Sequence, residues 1–396
     1  MKKSSLLLAL TCIASPLLSQ ADEQIEYLVL PAVLHHSGVG TLYGAAANIK
    51  NIGESDYSAY VGIADGDASA VGFGVSDISL WNGQFSYVYA QARDVTIDTQ
   101  YQRGDDGNIY EQDLSGSIHR FALTHDLPFE STKSTIALSR SSVSIDGYAD
   151  DNGTEILINQ SGFHDINTTS LMADITWDNR VGPIGLAQGT KVSASLRFDL
   201  GRTAQSDQGV FGYKLSHHIS FTESALASFY FNGSHAFVIS KDEKFDTEAE
   251  VRAELNASCN LLSSPSQTTS CLQLEQDLTS YIVASNNKGT AKAVGGSQGL
   301  RSYQESFFRG SNSLVEGVEL QWQLPDTMQI GSSTKLQWLM FAETAQIADK
   351  LNELSDRTYY SVGTGIRAYA GDIPVRAEFA HGASGNTVLL TTGLVF

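Results

Sequence analysis

The sequence predicts an all-β chain, a closed transmembrane antiparallel β-barrel of about 16 strands, and three observations point there. Apolar and polar residues alternate at period two along most of the chain; Gly, Asn, Asp and Ser clusters separate the alternating runs; and an aromatic residue, Phe396, closes the last run. Alternation alone would also suit a soluble two-layer sandwich. The terminal run decides between them, because Val388, Leu390, Thr392, Leu394 and Phe396 share one face. A lipid-exposed sheet tolerates no unpaired edge, and an amphipathic strand ending on an aromatic suits a closed barrel and reads as its assembly signal.

Composition narrows the function. With 25 basic and 44 acidic residues in 396, the formal charge is −19, which argues against a phosphate-binding surface for nucleic acid. Beyond the first twenty residues there is no run of roughly 18 apolar residues, so a spanning helix is not expected. Lys2 and Lys3, the apolar run Leu6 to Leu10 and the small residues Ser19 and Ala21 form a signal peptide over residues 1–21, leaving residues 22–396 as an outer-membrane barrel. Cys12 is a poor lipidation site, since Thr11 precedes it. Export places Cys259 and Cys271, 12 apart, in an oxidising compartment, where a disulfide is expected.

Strands are expected near Tyr27 to His36, Phe85 to Ile97, Phe121 to Thr124, Thr135 to Ile145, Leu171 to Trp177, Lys191 to Asp199, Ala225 to Phe231, Val318 to Leu324, Tyr360 to Tyr369 and Asn386 to Phe396. In the Lys191 run, Val192, Ala194, Leu196 and Phe198 alternate with Ser193, Ser195, Arg197 and Asp199. Turns such as Asn51 to Asp56, Trp81 to Gly83, Phe221 to Glu223 and Gly371 to Pro374 are short. The opposite loops are longer: Arg103 to Leu114, Ala149 to Ile166, Ala348 to Arg357, and a very long one over residues 238–313. Outer-membrane barrels carry their long loops outside. Within the longest loop, Asp246 and Thr247 cap a helix whose first turn holds Glu248 and Glu250, and Leu272 to Ile282 forms a second helical stretch. The two cysteines would staple these into a surface cap.

The rest of that loop carries a motif. Gly295-Gly296 precedes Leu300-Arg301-Ser302-Tyr303, then Phe308-Arg309-Gly310 leads into a strand ending at Leu324-Pro325. Downstream come Phe341 to Ala345, then Ser361-Val362-Gly363-Thr364-Gly365-Ile366-Arg367, then Val375-Arg376-Ala377-Glu378-Phe379-Ala380. Together these resemble the sixth extracellular loop and the final strands of the Omp85 superfamily, the family of surface antigen D15, outer-membrane assembly barrels and two-partner secretion transporters. Ser302 stands where the family has Gly, and Glu343 where it has Asp. The resemblance implies a sixteen-stranded barrel whose long loop folds back into the lumen, with Arg301 meeting Glu343 on the inner wall, Tyr303 and Glu378 beside them, and Gly295, Gly296 and Gly310 shaping the loop. A guanidinium in a narrow lumen independently calls for a carboxylate partner. Strand-like sequence begins near Tyr27, so the chain resembles a barrel-only branch without periplasmic POTRA modules.

Other constellations are weaker. His35-His36 and His217-His218 are adjacent within strands, so the members of each pair face opposite ways and cannot chelate one ion together. Asp65 with Asp67, and Asp150 to Asn152, suit solvated turns better than calcium sites. There is no GxSxG elbow, and Gly38-Val39-Gly40-Thr41-Leu42-Tyr43-Gly44 lacks the lysine and helix of a phosphate loop. No cofactor and no enzymatic activity are expected. The expected role is protein assembly or translocation at the bacterial outer membrane, with lipid and lipopolysaccharide around the barrel, client proteins, and a periplasmic partner for their delivery. A passive pore or binding barrel constricted by its loop is the alternative.

Overall fold

The computed structural model describes residues 26–36, 40–52, 57–104, 107–150, 153, 155–156, 165–183, 185–203, 205–255, 259, 264–325, 335–370, 373–383 and 385–392. The expected signal peptide and Phe396 lie outside the described residues. The strands are β1 (Glu26–His36), β2 (Gly40–Lys50), β3 (Ser58–Gly66), β4 (Ser69–Leu80), β5 (Gly83–Gln100), β6 (Ile109–Asp126), β7 (Thr132–Ala149), β8 (Asp165–Asp178), β9 (Gly189–Leu200), β10 (Asp207–Thr222), β11 (Ala225–Ser240), β12 (Asn312–Gln323), β13 (Lys335–Ala348), β14 (Tyr359–Ala370), β15 (Ile373–Gly382) and β16 (Gly385–Thr392). Each pairs antiparallel with its neighbour in sequence, and the sheet curls until β1 meets β16. Among the described residues no helix is long and apolar enough to cross a membrane, which says nothing about strands.

Period two becomes two faces. On β13 and β14, Trp338, Met340, Tyr360, Val362 and Ile366 are exposed, while Gln337, Leu339, Phe341, Glu343, Ser361 and Arg367 between them are buried. The Lys191 alternation has the same outcome, although in a barrel its apolar members form the outside and its polar members face the lumen. Turns at one end are tight, as at Leu80–Gly83 and Thr222–Ala225, whereas the other end carries the loops between β5 and β6, β7 and β8, β11 and β12, and β13 and β14. One expected loop is shorter than its sequence implied. Leu114 belongs to β6, which starts at Ile109 because Tyr110, Gln112 and Leu114 continue the strand above the rest of the wall.

The long loop contains two helices, α1 (Glu248–Leu255) and α2 (Pro265–Lys288). Thr247 and Glu250 cap α1 reciprocally: the Thr247 N–H donates to Glu250 Oε2 at 2.9 Å and the Glu250 N–H to Thr247 Oγ1 at 3.4 Å. Cys259 and Cys271 are joined. The buried faces of both helices, with Val251, Leu255, Leu274 and Leu278, pack on Tyr101, Tyr110, Ile145 and Tyr148 at the raised ends of β5 to β7. At the opposite end, the turn between β8 and β9 reaches across the lumen, where Gln337 Nε2 on β13 donates to the Gly185 carbonyl at 2.9 Å.

Several glycines lie flat under an aromatic ring of the adjacent strand, and Gly317, under Tyr230, is one of those that touch the lumen chemistry. A Cβ there would sit 2.5 Å from the Tyr230 hydroxyl and 3.0 Å from the Ala342 carbonyl. Gly317→Ala should therefore cost about 1–3 kcal/mol of overpacking, read as a lower urea midpoint for loss of the compact, heat-modifiable band in gels; an unchanged midpoint would mean the ring moves freely.

Candidate functional site in the lumen

The loop motif is brought to the inner wall by backbone geometry that its glycines permit. Gly295, Gly296 and Gly299 adopt φ of 134°, 61° and 104°, and Leu300 takes 61°. The Tyr303 N–H donates to the Leu300 carbonyl at 2.9 Å and the Gly296 N–H to the Tyr303 carbonyl at 3.1 Å, closing a tight knot. The left-handed position thus falls on Leu300. Ser302 has no positive φ, so serine in place of glycine costs nothing there; its N–H donates to Ser361 Oγ at 3.0 Å, and its carbonyl accepts from Thr387 Oγ1 at 2.8 Å. Gly310 lies against β13, where a Cβ would meet Ile347 at 2.8 Å.

The knot drives Arg301 into the wall. Its backbone N–H donates to Glu343 Oε2 at 3.0 Å and its Nε to Glu343 Oε1 at 2.9 Å. Nη2 donates to Glu319 Oε2 at 2.9 Å, Nη1 lies 3.2 Å from Glu378 Oε1, and the guanidinium carbon sits 3.8 Å from the centre of the Phe341 ring. Tyr230 donates its hydroxyl to Glu343 Oε1. Arg367 Nη2 donates to Glu319 Oε1 at 2.7 Å, and Arg376 Nη1 lies 3.6 Å from Glu378 Oε1. Three arginines and three glutamates, each at most 2% exposed, make one charge-balanced cluster. Balance is what makes burial tolerable, since an unpaired charge in such a place costs several kcal/mol.

Above the cluster lies an aromatic layer. Tyr303 packs on Phe308 at 4.8 Å between centroids and on Tyr359 at 6.1 Å, and Phe307, Phe308, Val294 and Leu300 fill the space to Val315 and Ile347. Expected residues Arg301, Tyr303, Glu343 and Glu378 therefore come together, with Gly295, Gly296 and Gly310 at the knot and its exit. Cys259 and Cys271 lie apart, in the helical cap. Of the histidine pairs, His217 is exposed on the outer face and His218 is buried inside.

The sequence reading missed Glu319, Tyr230 and the pairing roles of Arg367 and Arg376. Their signal was parity: Glu319 is two residues from Gly317 and Gln321 on the lumen face of β12, and Arg367 and Arg376 are register partners. It also missed a clasp at the outer mouth. Arg103, between β5 and β6, donates to Asp349 Oδ1, Ser285 Oγ and Thr290 Oγ1 and to the Gly289 carbonyl. Burial alone would raise the Asp349 carboxyl, but Arg103 and Lys288 hold it below its ordinary 3.8. Burial would likewise raise the Tyr281 hydroxyl, yet Arg309, Arg103 and Arg202 around it bring it down.

The solved structures with this fold include CdiB from Escherichia coli, at TM-score 0.54 and 11% identity over 93% of this chain and 61% of that one. CdiB from Acinetobacter baumannii gives TM-score 0.50 and 11% identity over 93% and 59%. The fold is the barrel that these two proteins share. The chain spans about three fifths of the length of those two proteins. No protein-family model and no curated protein matches the sequence.

Two outcomes follow from the geometry. Arg301→Ala leaves buried carboxylates short of a counter-charge and should destabilise the barrel by about 3–5 kcal/mol, seen as a lower heat-modification temperature, while adding Glu343→Gln should recover part of the loss. For the clasp, a depressed carboxyl contributes stability fully above its unfolded value and loses it as pH falls through its folded value. Cleavage near Gly289 by an acid-active protease should rise below pH 3.8, and Asp349→Asn should be cleaved at that raised rate at every pH.

Proposed function

We propose that this chain is a closed barrel in the bacterial outer membrane, that the 295–310 segment locks its lumen through Arg301, and that it assists assembly or translocation of proteins there. Membrane residence is supported by the outer face: Val61, Phe73, Ile136, Leu171, Phe229 and Val388 are exposed along the walls. Trp81, Phe129, Phe221 and Trp338 ring the short-turn end as an aromatic girdle does at a lipid interface.

The observation that carries the functional reading is the seam. β1 pairs with β2 from Glu26 to His36 and, among the described residues, with β16 at His35 opposite Leu390. The first and last strands meet there, and such a closing pair is where a client strand can join by edge addition. The filled lumen supports the same reading over a passive pore, because the knot, the aromatic layer and the Gly185 turn all stand across the bore. Lipid, lipopolysaccharide and a periplasmic partner complete the proposal.

The test is a double cysteine variant, His35→Cys with Leu390→Cys. In a strain depleted of the native chain, the oxidised variant should fail to restore outer-membrane protein levels and the reduced one should restore them. Full complementation by the oxidised form would remove the seam from the mechanism.

A further inference from the structure

On the lipid-facing wall stands a carboxylate that lipid does not satisfy. Over β12 and β13 runs a groove of about 620 Å³ between Phe229 and Phe231 on one side and Tyr360 and Val362 on the other. Glu316 lies in its floor and His217 at its rim. Glu316 is exposed, and along the outer face of β12 its companions are Leu314, Val318, Leu320 and Trp322. The Thr344 hydroxyl donates to its Oε1 at 3.1 Å.

Depth makes this costly. Trp322 stacks on Trp338 at the girdle; six residues of strand separate it from Glu316, about 20 Å along the chain and about 15 Å along the membrane normal at ordinary barrel tilt. That is beyond the middle of an apolar band about 25 Å tall. Acyl chains offer no donor there, so beyond the Thr344 hydroxyl the carboxylate calls for a second protein donor within the membrane plane.

The same groove holds one. His217 Nδ1 lies 2.8 Å from Thr190 Oγ1; with that hydroxyl donating, the ring proton sits on Nε2, which is left to donate. A patch that carries an acceptor on one side of an apolar ridge and a donor on the other is self-complementary under a two-fold axis. We infer that this groove is a homodimer interface within the membrane, in which Glu316 of each copy accepts from His217 of the other across the ridge of Phe229 and Phe231. The inference rests on the membrane reading above.

The experiment places a cysteine on the groove floor. Ala342→Cys in the full chain, expressed in cells and oxidised in isolated membranes, should give a covalent species of twice the chain mass. Ile63→Cys, equally exposed on β3, should not. Adding Glu316→Leu should reduce the dimer at least tenfold while the barrel stays heat-modifiable, because a leucine suits lipid better than a carboxylate. Ala342→Cys dimers no more abundant than those of Ile63→Cys, dimers that persist undiminished with Glu316→Leu, or a cross-link to a different protein would each overturn the inference. Fractionation of the same cells separates the two readings: absence from the outer membrane sinks both, whereas a monomer found there sinks this one alone.

Discussion

Everything inside this barrel is organised around the neutralisation of Arg301. A guanidinium with no solvent needs counter-charge from several sides, and here Glu319, Glu343 and Glu378 come from β12, β13 and β15. Two more arginines, on β14 and β15, then keep three carboxylates from repelling one another. The loop is therefore attached to five adjacent strands at once, β12 to β16, and the knot of residues 295–303, the Phe341 ring beneath the guanidinium and the Tyr230 hydroxyl on Glu343 all serve that attachment. Because charge-assisted bonds of this kind are stronger in a dry site and fail together when one member is removed, the cluster behaves as a unit.

How much of this was legible in the sequence depends on the range of the contacts. Alternation at Lys191 to Asp199 revealed both the strand and its two faces, since period two is a local property. Arg301 and Glu343 were legible through a motif, with the serine after the arginine and the longer acid both accommodated: the positive φ sits at Leu300, and a Glu carboxylate reaches the backbone N–H of Arg301 as well as its side chain. Glu319 was not legible, because a lone acid in a strand looks the same whether it faces water or an arginine. Arg103 was still less so, since its partner Asp349 is 246 residues away and meets it only once the barrel curls.

The outer mouth and the lumen are sealed by different physics. Around α1 and α2 the cover is mostly apolar packing on the tall strands β5 to β7, fastened by the cysteine pair and by Arg103. Around residues 295–310 the fastening is charge, with aromatic rings filling what remains. The first draws mainly on apolar burial, with the ion pairs of Asp349 as a charged fastening; the second depends on every carboxylate keeping its partner.

One loop thus holds two distant stretches of wall, β5 to β7 through its helices and β12 to β15 through its arginine. The junction of β1 with β16 lies between those two anchorages. The loop consequently works as a strut across the bore: it ties two remote stretches of one cylinder together, and the tension it carries is set by how firmly each foot is planted.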